Sequence, residues 1–518
     1  MRPTIRRSGG RITRLADRRK GGGPRAVVPG LPGGQYRPLT DAAIERIHHT
    51  ALDVLENIGF ADATPALVEL ATAKGCRLDE RGRLHFPRGF VEDIIAGAAR
   101  EFQIHGRNPK HDLTIGGARV HMTTAGEAVT VLDLATRHFR PSTLLDLYDM
   151  ARLVDRLEHV HQFGQTVVAT DIADPFQHDM SIAYAILAGT EKSFGVSMGR
   201  PEHIAPAVQL FDMALGGEGR FLARPVCVIG CCPIVSPLRF AREATDVLME
   251  TTRRGLIGDV AIAAQAGATA PAALAGTLVQ TVAETLASVI VVNLVKPGHP
   301  TIFGIWPFVS DLRTGSFTGG GGEEAVLSAA AMQIANYYDL PASVGAGMTD
   351  SKMPDNQAGY EKGVSTALAA LAGGNYVCES AGMLASLLAC SYEALVIDND
   401  MLGMVQRALR GIEVTDETLS YEVIREAVEG AGHFLGSGQT LELMHTEYVY
   451  PSLADRSAPG AWEESGKPEL LDRARERVRE ILSQHYPDYI DARTDAAIRE
   501  RFPIRLPREA MRAESRRW

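Results

Sequence analysis

Acids, bases, amides and hydroxyls crowd one stretch of this 518-residue chain, SVGAGMTDSKMPDNQAGYEKGVSTALAALAGGNYVCESAGM at Ser343–Met383. Asp350, Lys352 and Asp355 surround a proline turn, and Glu379 and Ser380 follow on the next apolar run. Groups of these types can hold a cation, bind a carboxylate or move a proton; a simple loop salt bridge at Lys352 is the competing reading. A second concentration, TIFGIWPFVSDLRTG at 301–315, gathers Phe303, Trp306 and Phe308 in a chain with three tryptophans. Aromatic faces attract cations that cannot be hydrogen-bonded, quaternary ammonium above all, by roughly 0.5–2 kcal/mol per ring. Core packing competes with that use, and Asp311 and Arg313 just downstream would supply a polar rim. A third stretch, QTLELMHTEYVYPSLADR at 439–456, carries His445, Glu447, Tyr448 and Tyr450, which could close over a site.

Other motifs point to less. Cys227, Cys231 and Cys232 lie in RPVCVIGCCPIVSP, an apolar strand and its exit, where buried thiols are a better reading than metal or thiolate chemistry. The run GSFTGGGGEEAV, 315–326, lacks the Gly-Lys-Ser/Thr of a phosphate loop, and two acids on its first helical turn would repel phosphate. It reads as a hinge or as a surface that a large partner approaches closely. No HExxH helix, serine elbow or kinase loop occurs. His-x-x-Gly occurs at His161–Gly164 and His433–Gly436, but His159 and Ala431 stand where a corrinoid-binding module would want Asp. The chain is therefore not expected to carry its own cobalamin.

The elements that must position these groups form a repeating pattern. Apolar strand-like runs begin near Val120, Val160, Lys192, Pro225, Leu256, Pro300, Pro341 and Asn375, with helical runs between them. A spacing of about 30 to 45 residues is that of a βα unit, and eight such units predict a (β/α)8 TIM barrel. An open doubly wound sheet is the alternative, but no GxGxxG follows the first strand. The expected organisation is a basic tail over 1–38, a helical cap over 39–110, the barrel over 111–400 and a helical C-terminal extension over 401–518 completing the barrel mouth. In the cap, Thr40 is the expected N-cap of a helix with Ile44, Ile47, Leu52 and Leu55 on one face.

Composition sets outer bounds. Residues 1–38 carry ten Lys/Arg and one acid, a net of +9, so with the chain at −10 the remainder sits at −10 − 9 = −19. The Gly- and Pro-rich basic head is expected to be a disordered tail. It resembles a transit peptide in charge but lacks the apolar core of a secretory signal. Six cysteines are too few for a disulfide framework, which favours a reducing, cytoplasmic setting. The longest uninterrupted apolar candidate, Leu286–Leu294, is too short to span a membrane, and neither nucleic acid nor membrane is an expected partner.

Several segments together resemble one family, the trimethylamine methyltransferase-like proteins: GMTDSKMPDNQAGYEKG (347–363), YVCESAGML (376–384), LVIDNDMLGMV (395–405), AREATDVLMETTRRG (241–255) and HTEYVYPSLADR (445–456). The likeness extends from about Leu39 to Arg501. It implies a (β/α)8 barrel with added helices. The founding members contain pyrrolysine, whereas this sequence reads through with standard residues. It is thus similar to the branch without pyrrolysine, which demethylates quaternary amines such as glycine betaine. The implied reaction moves a methyl group to the Co(I) corrinoid of a separate small protein. No cofactor is then bound by this chain, no residue acts as acid or base, and symmetric homo-oligomerisation is the default. Phe303, Trp306, Tyr360 and Glu379 are the expected ammonium contacts; Arg313, Lys352 and His445 are candidates for a substrate carboxylate. Three alternatives stand beside it: trimethylamine as substrate, a zinc-dependent thiol or alcohol corrinoid methyltransferase using Cys227, Cys231 and Cys232, and a non-catalytic betaine sensor.

Overall fold

A computed structural model describes residues 36–518 apart from 118, 125, 134, 436, 445 and 446. The basic head up to residue 35 and His445 therefore lie outside the described residues. Eight parallel strands form one sheet: β1 His121–Met122, β2 Phe163–Gly164, β3 Phe194–Ser197, β4 Cys227–Cys231, β5 Gly258–Ile262, β6 Thr301–Ile305, β7 Ala342–Gly345 and β8 Tyr376–Cys378. Tyr376 pairs with His121, and Thr123 bridges in parallel to Gln162 at the entry of β2, so the sheet closes into a ring. Each strand is followed by a helix: α1 Leu144–Asp155, α2 Pro175–Gly189, α3 Ile204–Ala214, α4 Arg242–Arg253, α5 Leu274–Val295, α6 Gly322–Tyr338, α7 Asn356–Leu371 and α8 Tyr392–Arg410. This is the (β/α)8 barrel that the strand spacing predicts.

Strand alternation divides the side chains between lumen and helix layer. On β5, Asp259 and Ala261 face inward while Val260 and Ile262 join the core beneath the helices. The lumen of such barrels is ordinarily filled by bulky branched side chains. Here Gly164 and Gly195 stand in register, as do Ala261 and Gly304, which leaves space. Below that space the barrel is plugged. A hairpin, Phe102–Ile104 with Leu113–Ile115, covers the floor, and Ile104 and Ile115 pack with Val228, Ile302 and Tyr376.

The N-terminal helices Asp41–Asp53, Pro65–Thr72 and Arg88–Gly97 pack against α5. Thr40 caps the first of them, its hydroxyl accepting from the Ala43 N–H. By length and composition α5 is apolar enough to cross a membrane, although Glu284 interrupts it. It serves instead as a buried wall between β5, β6 and the N-terminal helices.

One boundary falls elsewhere than the sequence suggests. The last barrel helix runs on to Arg410, so position 400 lies inside α8. The C-terminal end of α8 lies beside the turn that enters β2, where the His159 N–H donates to Asn399 and Gln406 donates to the His159 carbonyl. The C-terminal extension leaves α8 at the floor, where Glu447 is held by Arg407 and Arg410, and its later residues come back to the strand-exit loops, Leu471 packing near Met353 and Leu384 and Trp518 on Tyr392. Helix Leu470–Gln484 then returns along α8 and α1.

Candidate functional site

The strand ends enclose a cavity of about 290 Å³ in the upper lumen. In (β/α)8 enzymes this end of the barrel carries the chemistry. Three carboxylates line it. Asp259 is inward-facing on β5, Glu379 follows β8 immediately, and Glu127 stands on the loop after β1. Trp306 and Phe308, just past β6, supply the aromatic wall, with ring centroids 6.2 Å apart in an edge-to-face arrangement. Gly345 on β7 lets these groups meet. A Cβ there would lie 3.0 Å from Phe308 Cε1, 3.0 Å from Trp306 Cε3 and 3.1 Å from Glu379 Oε2.

The acids differ in how they are held. Ser197 Oγ donates to Glu127 Oε1 at 2.5 Å. A relay fixes the next: Trp306 Nε1 donates to Ser343 Oγ at 3.1 Å, and Ser343 Oγ donates to Asp259 Oδ1 at 3.2 Å. Glu379 is 2% exposed, adopts a left-handed backbone with φ of 59°, and its Oε2 has no hydrogen-bond partner. Burial disfavours the charged form of all three. It pushes Asp259 up to about 7 against the opposing Ser343 hydrogen bond, and Glu379 to about 8. Burial also raises Glu127, with Ser197 acting in the opposite direction. Cys232, exposed to the cavity yet surrounded by protein, is pushed to about 12 by burial and then by Glu127, Asp259 and Glu379. A cavity lined by acids with an unpartnered oxygen is suited to an organic cation. Its positive charge would bring the carboxyl groups back to their ionised forms.

Of the seven residues singled out from the sequence, the structure brings Trp306 and Glu379 together at this cavity. Phe303 points the other way. It lies on the helix-facing side of β6 and packs edge-to-face on Tyr338 of α6, with centroids 5.9 Å apart. Arg313 is 75% exposed and grips Asp311 at a hairpin tip. Lys352 is exposed and donates to the Asp350 carbonyl. Tyr360 stands 62% exposed on α7, over a separate surface hollow. His445 lies outside the described residues.

The polar loop of residues 349–357 stitches the rim together. Asp350 accepts from Thr318 Oγ1, the Gly319 N–H and Ser386 Oγ, while Asp355 caps α7 through the Ala358 N–H. The glycine run before α6 has the same purpose. A Cβ at Gly320 would lie 2.3 Å from the Glu361 carboxylate, and one at Gly319 2.9 Å from Met348. Close packing of two rim loops accounts for these glycines. Cys227 and Cys231 stand four residues apart on β4, about 13 Å along a strand. Among the described residues no group of three or more His, Cys, Asp or Glu is placed to share a metal ion, and all six cysteines are free thiols.

Sequence reasoning overlooked Asp259 and Glu127. A lone acid inside the apolar strand GDVAI was one signal, and the glycine or alanine in successive strands (FG, FGVS, CVIGC, GDVAI, TIFGI) was another. Both mark a lumen that is hollow and polar where it should be filled.

A barrel with an acid- and aromatic-lined mouth suits an enzyme that positions a small cation for attack by a reagent from outside. Comparison with known proteins gives that class a family. Residues 7–507 match the family model described as trimethylamine methyltransferase. The chain is 31% identical over 465 residues to the glycine betaine methyltransferase of Desulfitobacterium hafniense (strain Y51), covering 90% of this chain and 96% of that protein. It is 32% identical over 470 residues to the trimethylamine methyltransferase of Methanosarcina thermophila, covering 89% and 96%. Among solved structures, the monomethylamine methyltransferase of Methanosarcina barkeri is similar with a TM-score of 0.45 at 12% identity, covering 85% of this chain and 94% of that one. The chain belongs to the trimethylamine methyltransferase family and is a methyltransferase.

Proposed function

We propose that this enzyme takes a methyl group from a quaternary ammonium compound, the class to which glycine betaine belongs, and passes it to the Co(I) corrinoid of a partner protein docked at the barrel mouth. The observation that carries the reading is the unpartnered, buried Glu379 oxygen facing Trp306 and Phe308 across Gly345. The family supports methyl transfer and the relatives' names supply the amine class. The corrinoid, when docked, supplies the nucleophile, and the amine leaves as a neutral tertiary amine.

The chain's own residues then have three tasks. Trp306 and Phe308 hold the onium group by cation–π contact. Glu379, Asp259 and Glu127 oppose its charge from buried positions, where Coulomb attraction is stronger than in water. The Ser343 relay keeps the Trp306 ring and Asp259 in fixed relation, so the methyl group is aimed at the mouth. Because the substrate loses its positive charge as the methyl departs, these carboxylates stabilise the bound substrate more than the transition state. They therefore act in binding and orientation, and no side chain has to transfer a proton.

The test mixes the purified protein with cob(I)alamin, or a reduced corrinoid protein, and a panel of quaternary amines. Loss of the Co(I) absorbance with release of the tertiary amine is expected for at least one of them. Silence across the panel overturns the reading, and saturable binding without transfer would leave a sensor in its place.

A further inference from the structure

The cavity has no provision for a negative charge on its ligand. Three carboxylates line it, and among the described residues no Lys, Arg or His does. The neutral side-chain donors of the wall are largely committed, with one further N–H left on each of the amides of Gln162 and Gln165. Gln162 Nε2 donates to Tyr376 Oη and Gln165 Nε2 to the Val167 carbonyl. The Thr123 and Thr124 hydroxyls donate to the carbonyls of Thr124 and Gly164. Ser197 is committed to Glu127, and Trp306 Nε1 to Ser343. The two described cations singled out from the sequence, Arg313 and Lys352, point into solvent and are held by Asp311 and by the Asp350 carbonyl. The thiol of Cys232 is only a weak donor. A substrate carboxylate one or two carbons from the onium nitrogen would meet three carboxylates in this wall and, among the described residues, no cation, only the second N–H of a neutral amide. A like charge 4 Å away in such a setting costs about 4 kcal/mol.

We infer that the preferred substrate is a quaternary ammonium without an anionic group, of the choline or tetraalkylammonium kind. The inference rests on the methyl-transfer reading and narrows it. The acidic wall alone would not carry it. The independent observation is the Glu379 oxygen, buried to 2% exposure, unpartnered and set against the aromatic pair at Gly345.

One route remains by which an anion could be held. Protonated Asp259 and Glu379 could donate to it, and pH separates the two cases. The titratable groups facing the cavity are Glu127, Cys231, Cys232, Asp259, Cys378 and Glu379, with buried Glu324 behind Glu379. The thiols are raised by burial, so the carboxyl groups govern the range from pH 6 to 9. A bare cation needs them ionised and binds more tightly as pH rises. An anion held by their protons binds more weakly.

Calorimetric titration of the whole chain at pH 6.5, 7.5 and 8.5 tests this, using choline, tetramethylammonium, glycine betaine and carnitine, with cob(I)alamin assays on the same set. Choline or tetramethylammonium should bind at least about tenfold more tightly than either zwitterion, and affinity should rise about tenfold or more across the range. Glu379→Gln should remove most of that preference and flatten its pH dependence. Equal or tighter binding of glycine betaine, or transfer from it with choline inert, overturns the inference and leaves the methyl-transfer reading standing. No binding and no transfer for any of the four overturns both.

Discussion

Glu379 and Asp398 are both buried acids near the end of β8, on opposite sides of the barrel wall. Asp398, on α8, receives Lys362 Nζ at 2.6 Å and the Gly382 N–H at 2.8 Å. Glu379, on the lumen side, has an oxygen with no partner, held in a left-handed turn. Burial raises both, but for Asp398 the neighbouring ammonium and its hydrogen bonds oppose the shift, whereas nothing opposes it for Glu379. A buried charge is tolerated when it is paired or reserved for a ligand. The helix layer shows the first solution and the lumen the second. The satisfied pair helps hold the helix layer together, and the unpartnered Glu379 oxygen, in the cavity wall, is placed to meet a ligand's charge.

Breaking the satisfied pair should give the largest effect on folding. Lys362→Met leaves Asp398 buried and alone, and should cost about 3–5 kcal/mol of stability. Urea denaturation of the variant against wild type measures it. A loss under about 1 kcal/mol would show that the pair is not what tolerates Asp398.

Glu379→Gln should do the reverse. Stability should hold or rise, since a buried, unpartnered carboxyl is removed. Binding should suffer, because one side of a buried charge contact is lost, at about 2–5 kcal/mol. KM for the amine should rise on the order of 100-fold with kcat changed only a few-fold, because the attraction weakens as the substrate's charge leaves. A fall in kcat with KM unchanged would assign Glu379 to the chemistry and break the contrast.

The pH dependence of stability gives a finer test. Glu379 has a folded-state pKa of about 8, above its ordinary 4.5, so the native state holds the proton that the unfolded chain has released. Its contribution to stability is whole below about pH 4.5 and is lost as pH rises through about 8. Wild type should therefore lose stability relative to Glu379→Gln over that window, by at most about 1.4 kcal/mol per pH unit for this one group. A bound quaternary amine should flatten the slope. Parallel stability curves with and without the substitution would refute the assignment.

The contrast also explains what was legible beforehand. Strand positions were readable because each apolar run is bounded by polar loops and followed by a helical run. Glu379 and Trp306 stood out because they sit at strand exits, where side chains are free to serve a site. Phe303 did not separate from Trp306 and Phe308 by composition. Only the two-residue alternation of β6, which puts Ile302 in the lumen and Phe303 against Tyr338, assigns it to the helix layer. Asp259 escaped the sequence pattern for a related reason. Density of polar residues favours loops, whereas a lumen acid is one polar residue in an apolar strand. The end of α8 was set ten residues early because its last turns are anchored on the floor by His159, distant in sequence from α8.

The smallest expected effect concerns the rim. Residues 349–357 have a high density of polar and charged groups, yet those groups are spent on the protein itself. Asp350 ties down three neighbours, Asp355 caps α7, and Lys352 folds back on a carbonyl. Exposed charges in such contacts contribute about 0–1 kcal/mol. Lys352→Ala and Arg313→Ala should each change kcat/KM for the amine by less than about threefold, in steady-state assays at saturating corrinoid. A tenfold loss confined to KM for a zwitterionic amine would mean that a rim cation reaches the substrate after closure. It would then be the rim, and not the lumen, that selects the substrate. The lumen predicts otherwise, because the cavity already contains the carboxyl groups, the aromatic face and the unpartnered Glu379 oxygen that a cation would engage.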